Sequence, residues 1–333
     1  MAQKVGITTT IPVEVVIAGG CIPVDLNNIF ITSGCSQALV EEAELAGYPR
    51  NICAWIKGIY STAIRNREIN TLIAVTQGDC SNTHALMETL SLEGIKIIPF
   101  AYPYDRDRDM LRLQIEKLMT VFGVDWEQVR RIKKDLDHVR KLVWQVDKHT
   151  WQGNRVRGIE NHLWQVSCSD FNGDPGVFAE EVNKYLNDLE NAPAIEASVR
   201  LGYIGVPPIM TDLYDYIESR GARVVFNEIQ RQFTMPFNTQ DIVEQYASYT
   251  YPYDIFSRLE DISAEIEKRN VHGVIHYAQS FCYRQIQDLI IRRRLNIPVL
   301  TVEGDRPPHL DARTKMRIDA FVEMLREGNN KLR

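Results

Sequence analysis

The residues of this sequence with the most specific chemistry are its six cysteines: Cys21, Cys35, Cys53, Cys80, Cys168 and Cys282. A thiolate can bind a metal or act as a nucleophile, whereas a protonated buried thiol behaves as a small apolar side chain. No two of the cysteines form a CxxC pair, which argues against a zinc ribbon and against the closely spaced cluster motif of ferredoxins. Any metal cluster must therefore take its ligands from distant parts of the chain.

The positions of three cysteines relative to the predicted elements favour a shared site. Cys80 and Cys282 each follow a buried-type strand at the turn into a helix, and Cys53 lies near the start of its own helix. Ligand sites of open α/β sheets lie at the carboxyl ends of strands, and a helix N-terminus lowers the pKa of a thiol. The pattern alone leaves two interpretations open, a metal site and three ordinary buried thiols.

The elements that must position these thiols follow from hydrophobic periodicity. In residues 1–105, strands such as Thr71–Val75 alternate with helical patterns, and residues 195–333 show the same alternation. Residues 106–194 contain long amphipathic helical stretches and almost no strand pattern. We therefore expect an α/β fold with two doubly wound Rossmann-like (flavodoxin-like) domains, joined by a helical insert, with the site in the cleft between them.

Composition and charge exclude several functional classes. The chain has 333 residues, 44% hydrophobic and 25% charged, and a formal net charge of −6. This charge gives no attraction to nucleic acid or to an anionic membrane surface. No apolar run is long enough to span a bilayer, and the N-terminal segment lacks the pattern of a secretion signal. We expect a cytoplasmic protein, in which disulfides are rare.

A family resemblance adds to this reading. The segments PRNICAWIKGIYS, TQGDCSNTHAL and SFCYRQIQDLI, followed by IPVLTVEGDRPPHLDARTKMRIDAFVEML, closely resemble the 2-hydroxyacyl-CoA dehydratase family. That family also includes subunits of ATP-dependent benzoyl-CoA reductase and the double-cubane cluster proteins. The resemblance covers nearly the whole chain, and the ordered set of three cysteine motifs makes it specific.

The resemblance implies a cofactor and its ligands. Members of the family hold a [4Fe-4S] cluster between two α/β domains through three cysteines, which correspond here to Cys53, Cys80 and Cys282. Three thiolates leave one iron open to substrate, water or a bridging sulfide. The alternative is a double-cubane [8Fe-9S] cluster that uses additional cysteines, and otherwise Cys21, Cys35 and Cys168 are ordinary thiols.

The resemblance also implies an activity and partners. A separate ATP-dependent iron–sulfur activator would deliver a low-potential electron for radical dehydration of a 2-hydroxyacyl-CoA-like substrate or for a related reduction. The chain itself lacks a P-loop pattern, in agreement with ATP chemistry on a partner. We expect a homodimer or a heterodimer with a similar subunit. The chain is shorter than typical dehydratase subunits, so two alternatives remain: a double-cubane reductase of small molecules and a non-catalytic electron-transfer subunit. A third possibility, a metal-free binding protein with a bilobal α/β fold, would need the cysteines to be inert.

Further candidate residues lie close to these motifs. One group, at the ends of two predicted strands, is expected to face the same crevice and to contact substrate or transfer protons: His276, Gln279, Ser280 and Glu303. A second group lies about one helical turn beyond the cysteines and could stabilise a negatively charged cluster: Lys57, His84 and Arg284. For both groups the alternative is a structural role in packing, in a polar network or at the surface.

Overall fold

The computed structural model describes residues 2–331 and confirms an α/β fold with two four-stranded parallel sheets. The strands of the first sheet are β1 (Lys4–Ile7), β2 (Ile22–Asp25), β3 (Ile69–Gln77) and β4 (Lys96–Ala101). The strands of the second sheet are β5 (Val199–Ile204), β6 (Ala222–Asn227), β7 (Gly273–Gln279) and β8 (Val299–Gly304). We call the parts of the chain that contain these sheets the N-terminal half and the C-terminal half.

The helices fall into three groups along the chain. Those of the N-terminal half are α1 (Val13–Ala18), α2 (Leu26–Thr32), α3 (Ser36–Leu45), α4 (Ala54–Arg65) and α5 (Thr83–Leu92). The connecting segment contains α6 (Arg108–Phe122), α7 (Trp126–Trp151), α8 (Gly158–Val166), the 3₁₀ turns Ser167–Ser169 and Phe171–Gly173, and α9 (Pro175–Leu189). The C-terminal half contains α10 (Leu213–Ser219), α11 (Glu228–Phe233), α12 (Ile242–Ser248), α13 (Ile255–Lys268), the 3₁₀ turn Tyr283–Gln287, α14 (Asp288–Arg294) and α15 (Ala312–Lys331).

The two sheets have the same strand order. It is β2-β1-β3-β4 in the first sheet and β6-β5-β7-β8 in the second. The chain therefore changes direction across the sheet between β1 and β3, and again between β5 and β7. The carboxyl ends of strands at such a switch point are the usual ligand site of doubly wound sheets. Because β3 and β7 occupy equivalent positions, the turns that follow them are equivalent as well.

The connecting segment is helical because strong local signals define its helices. Asp107 and Asp125 accept hydrogen bonds from backbone N–H groups of the first turns of α6 and α7, and Gln128 completes a capping box. Gly123 ends α6 with a positive φ of 65°. The apolar faces of these helices share one core with the N-terminal sheet. The segment thus packs as a layer on that sheet, and the predicted boundaries at residues 105 and 194 stay a prediction.

Buried ion pairs attach α7 to both halves. Arg140 lies 2.8 Å from Glu14 of α1, and Asp147 lies 2.6 Å from Arg269 at the end of α13. Burial alone would raise the pKa of each carboxyl, but the arginine beside it holds the pKa of both Glu14 and Asp147 below the usual range. A single helix of 26 residues therefore fixes the C-terminal half relative to the N-terminal half.

The segment from α11 to α12 completes the core of the N-terminal half. After β6 the chain crosses over, and side chains such as Phe233, Tyr246 and Tyr249 join the same core as Phe100 and Tyr102. The Tyr246 hydroxyl donates to the carbonyl oxygen of Ile11 at 2.8 Å.

No helix in the described part of the chain is long and apolar enough to cross a membrane.

Candidate metal and substrate site

A cavity of about 210 Å³ lies at the carboxyl ends of strands from both sheets. Its wall contains the three cysteines that the sequence singles out, Cys53, Cys80 and Cys282. Apolar side chains line most of the remaining surface: Ile31, Trp55, Ile56, Ile59, Leu163, Val166, Val206, Pro207, Pro208, Ile229 and Phe233. An apolar cavity with a few convergent polar groups is the usual form of a small-molecule site.

Each thiol is positioned by a separate local structure. Cys53 is the N-cap residue of α4, and its side chain is buried. Cys80 lies in the turn between β3 and α5, and Cys282 precedes the 3₁₀ turn that follows β7. Phe281, directly before Cys282, has a φ of 63°, a left-handed conformation that turns the chain sharply at this point. The structure thus brings together the three thiols that were predicted from distant motifs.

The pKa values of these thiols correct one expectation from the sequence. Burial, with a smaller contribution from the nearby Cys282, raises the pKa of Cys53 to about 12. Burial is also the largest cause of the raised pKa of Cys80 and of Cys282, and Asp79 and Cys53 add to it at Cys80. We expected the helix N-termini to lower these pKa values. Instead, burial raises the pKa values by more than the backbone hydrogen bonds lower them. In the metal-free chain these groups are thiols, so metal binding must release their protons.

The donor set fits a cluster better than a single ion. Among the described residues, no three His, Cys, Asp or Glu side chains lie close enough together to hold one metal ion. In a cubane each thiolate binds a different iron, so its ligands stand further apart than the ligands of zinc. Cys53, Cys80 and Cys282 line one cavity, which makes them the residues that could hold such a cluster.

Arg284 supplies a second observation in favour of a negatively charged occupant. Its side chain is buried in the cavity wall, and Nη2 donates to the carbonyl oxygens of Gly78 and Tyr251 at 3.1 and 3.0 Å. Nη1 is buried and has no hydrogen-bond partner in the protein. A buried N–H of a guanidinium without an acceptor is costly, so a sulfide, a thiolate or a substrate oxygen would stabilise it. The predicted role of Arg284 beside a cluster remains a prediction that this geometry favours.

Asp79 and Tyr251 link the two halves at the cavity. The Tyr251 hydroxyl donates to Asp79 Oδ1 at 2.8 Å, and the Arg284 guanidinium stacks over the Tyr251 ring at 4.5 Å. Burial raises the pKa of Asp79 to about 6, although Tyr251 and Arg284 oppose the shift. Tyr251 carried no signal in the sequence as a site residue, because it lies in the crossing segment that only the tertiary fold brings to this position.

Of the four strand-end candidates only Gln279 lines the main cavity, although His276 and Gln279 both border a small pocket beside it that also includes Cys282. Gln279 lines the cavity, and its Oε1 accepts a hydrogen bond from the Tyr277 hydroxyl at 2.6 Å. His276 lies an odd number of residues away on β7 and therefore points to the opposite face, where Nδ1 lies 2.7 Å from Asp288 Oδ1. Ser280 donates to Glu303 at 3.0 Å, and neither lines the cavity.

Two of the three predicted flanking residues also lie outside the cavity wall. Lys57 is buried, but its Nζ contacts Glu44 Oε1 at 2.8 Å and the Arg50 carbonyl oxygen at 3.1 Å. His84 is exposed on α5. One helical turn of separation from a cysteine does not decide which way a side chain points, since neighbours three and four residues away share a face only approximately.

The polar wall away from the thiols comes mainly from α2 and the connecting segment. It includes Asp25, Asn28 and His162. His162 Nδ1 lies 3.2 Å from both the Tyr214 hydroxyl and Gln230 Nε2, and burial lowers its pKa to about 3, so the ring is neutral. Asp25 ends a strand and could have been found by that rule. His162 gave no signal, because it lies within an amphipathic helix.

The remaining cysteines do not line this cavity. The Cys168 thiol is buried and lies 3.5 Å from the carbonyl oxygen of Trp164, and Cys21 Sγ lies 3.8 Å from that of Gly19. Cys35 is exposed and lies beside a different, shallow depression. The structure therefore does not bring the three additional thiols of the double-cubane alternative to the site.

Fold and site together define a class of protein: two doubly wound parallel sheets whose equivalent turns bring cysteines to one cavity. The family model described as 2-hydroxyglutaryl-CoA dehydratase, D-component, matches residues 8–325, nearly the whole chain. The chain belongs to this family, which confirms the resemblance seen in the cysteine motifs. No curated protein matches the chain at a significant level.

Proposed function

We propose that this chain is a dehydratase-type subunit that removes water from a 2-hydroxyacyl-CoA-like substrate after the substrate gains one electron. The observation that carries the proposal is the convergence of Cys53, Cys80 and Cys282 on one cavity. Membership of the dehydratase family supports the class of reaction. An ATP-dependent iron–sulfur activator would deliver the electron, and the chain would act as a homodimer or with a similar subunit.

The three cysteines would hold a [4Fe-4S] cluster with one iron open. When bound, the cluster supplies low-potential one-electron chemistry next to the substrate. The residues of the chain have their own tasks: Nη1 of Arg284 offers a hydrogen bond to negative charge, and Trp55 and Val206 exclude water from the cavity. The polar wall, with Asn28 and His162, would bind the oxygen atoms of the substrate.

The two alternatives are less well supported. A double-cubane reductase with an [8Fe-9S] cluster would need further thiols, and Cys21, Cys35 and Cys168 lie outside the cavity. A non-catalytic electron-transfer subunit has no use for a cavity with a polar wall opposite its ligands. Turnover of 2-hydroxyglutaryl-CoA by iron-loaded protein, with an activator and ATP, separates the catalytic from the non-catalytic interpretation.

The proposal is tested by metal analysis of protein purified without oxygen. We expect about four iron atoms and about four acid-labile sulfides per chain, with an EPR signal after reduction. Cys53→Ala, Cys80→Ala and Cys282→Ala should each lose the cluster, whereas the matched control Cys35→Ala should retain it. About eight iron atoms per chain would favour the double cubane. Absence of iron from strictly anaerobic wild-type protein would contradict the proposal.

A further inference from the structure

Two buried carboxyl groups, Asp25 and Asp170, meet at the polar wall of the cavity. Asp25 ends β2 and lines the cavity, and Asp170 lies between the two 3₁₀ turns of the connecting segment. Asp170 Oδ2 accepts a hydrogen bond from the backbone N–H of Asp25 at 2.7 Å. The two side chains are only 4% and 6% exposed. This contact therefore joins the N-terminal sheet to the helical segment directly at the site.

The pair has no cation to balance two negative charges. In the described part of the chain, no lysine, arginine or histidine forms a salt bridge with either carboxyl. The partners of Asp25 are neutral donors, namely the backbone N–H and side chain of Asn27 and the Ser169 hydroxyl. Asp170 Oδ1 accepts from the Asn172 N–H at 3.0 Å. Two buried carboxylates without a cation cannot both ionise cheaply, so one of them keeps a proton.

The titratable groups that surround the pair supply no positive charge. Asp79 faces Asp25 from the turn after β3, Tyr249 faces it from the end of α12, and Cys168 faces Asp170. The cation that acts on Cys168 is Arg140, which is already bonded to Glu14 and Asp137.

The pKa values of the pair agree with this geometry. Burial, opposed by its hydrogen bonds, raises the pKa of Asp25 above the usual range. Burial and then the charge of Asp25 raise the pKa of Asp170 to about 7.

We propose that Asp25 is the general acid of this cavity and that Asp170 is the positioning residue that keeps a proton on it. The inference rests on the proposed function, because it assigns a proton donor to an electron-driven reaction. Arg284 also lines this cavity, and its buried Nη1 has no acceptor in the protein, so the site combines a cation that can stabilise negative charge with a proton donor. A substrate that gains an electron needs both.

Asp25 alone can donate and take back the proton that the dehydration requires. The substrate first gains one electron. The bond between its hydroxyl oxygen and the carbon then breaks, the electron pair leaves with the oxygen, and the Asp25 proton converts the leaving hydroxide to water. The Asp25 carboxylate next takes a proton from the neighbouring β-carbon, and the product returns the electron. The substrate has lost water, and Asp25 is protonated again.

The first test measures protonation directly in the metal-free chain. Infrared difference spectra across a pH titration report the carbonyl stretch of protonated carboxyl groups. We expect wild-type protein to show such a group titrating near pH 7, and Asp25→Asn and Asp170→Asn each to remove it. Asparagine at position 25 preserves the cap of α2. Asp135→Asn, on the exposed side of α7, is the control and should leave the titration unchanged.

The second test uses iron-loaded protein with an activator, ATP and 2-hydroxyglutaryl-CoA. Asp25→Asn should lower kcat by about 10²–10⁴-fold, with unchanged iron content and EPR signal. Asp170→Asn should move the alkaline limb of the pH profile to lower pH, because the charge that keeps Asp25 protonated is gone. Wild-type turnover in Asp25→Asn, or no carboxyl titrating near neutral pH, would overturn the inference while the cluster assignment stands. Absence of iron from wild type would instead overturn the proposed function.

Discussion

Arg284, two residues after Cys282, donates a hydrogen bond to the carbonyl oxygen of Gly78, two residues before Cys80, at 3.1 Å. The same nitrogen donates to the Tyr251 carbonyl oxygen at 3.0 Å. The two cysteine-bearing turns, which come from different sheets, are therefore tied to each other by protein contacts. Protein contacts therefore hold the two turns at this spacing.

This contact predicts that Arg284→Lys weakens retention of the metal without unfolding the protein. Lysine keeps the charge but lacks the planar guanidinium, which packs over the Tyr251 ring while its Nη2 reaches both carbonyl oxygens. Each hydrogen bond from a charged donor is worth about 1.5–3 kcal/mol. We expect lower iron content per chain and a broadened EPR signal. Arg292→Lys, at an exposed arginine of α14, is the control; equal iron content in both variants would refute the prediction.

The attachment of α7 predicts a large cost for removing one buried charge. Arg140→Met leaves Glu14 ionised and unpaired in the core, which should lower the free energy of unfolding by about 3–5 kcal/mol in urea denaturation. Adding Glu14→Gln to this variant should recover part of the loss. Arg326→Met breaks a partly exposed pair with Glu323 and should cost less than about 1 kcal/mol. Similar losses in the two single variants would show that α7 is not held in this way.

His162 predicts a specific pH dependence of stability. Burial lowers its pKa from 6.5 to about 3, so below pH 6.5 the unfolded chain binds a proton that the folded chain does not. Stability should therefore fall as the pH drops from 6.5, by up to about 1.4 kcal/mol per pH unit from this residue. Between pH 5 and 6.5, His162→Gln should lose less stability than wild type on acidification. The control His84→Gln, at an exposed histidine, should follow wild type.

The close packing at Gly58 predicts that α4, which begins after Cys53, tolerates no side chain at this position, where the helix contacts α2. A Cβ at Gly58 would overlap the Phe30 ring, whereas one at Gly328 of α15 meets no atom. Gly58→Ala should destabilise the protein by about 1–3 kcal/mol despite the better helix propensity of alanine. Gly328→Ala should instead stabilise it by up to about 1 kcal/mol. Thermal unfolding of both variants compares these effects, and a stabilised Gly58→Ala would contradict the packing described.

Much of the architecture could be predicted because its signals are local. Short apolar runs in the sequence predicted buried strands such as β3 and β7, and amphipathic periodicity predicted the helices between residues 106 and 194. The rule that ligands bind at the carboxyl ends of parallel strands predicted that Cys80 and Cys282 lie at one cavity, and both line it. Their convergence with Cys53 followed from motif order rather than from any single pattern.

The rest of the site depends on directions that a sequence does not fix. His276 and Gln279 lie on one strand, but the pleat sends them to opposite faces. Lys57 follows Cys53 by one turn, yet Glu44 holds its ammonium group elsewhere. The polar wall is built by tertiary packing of the helical segment onto the N-terminal sheet, which brings His162 to the cavity. Desolvation of the thiols also appears only when all the surrounding layers are in place.

The identical strand order of the two sheets gives the site an internal equivalence. Each sheet has a cysteine in the turn after its third strand, so Cys80 and Cys282 occupy matching positions. Cys53 has no such counterpart, because Asp254 caps α13, the helix that corresponds to α4. The three thiols are therefore an equivalent pair with one additional residue, and the site is asymmetric although the two sheets share one topology.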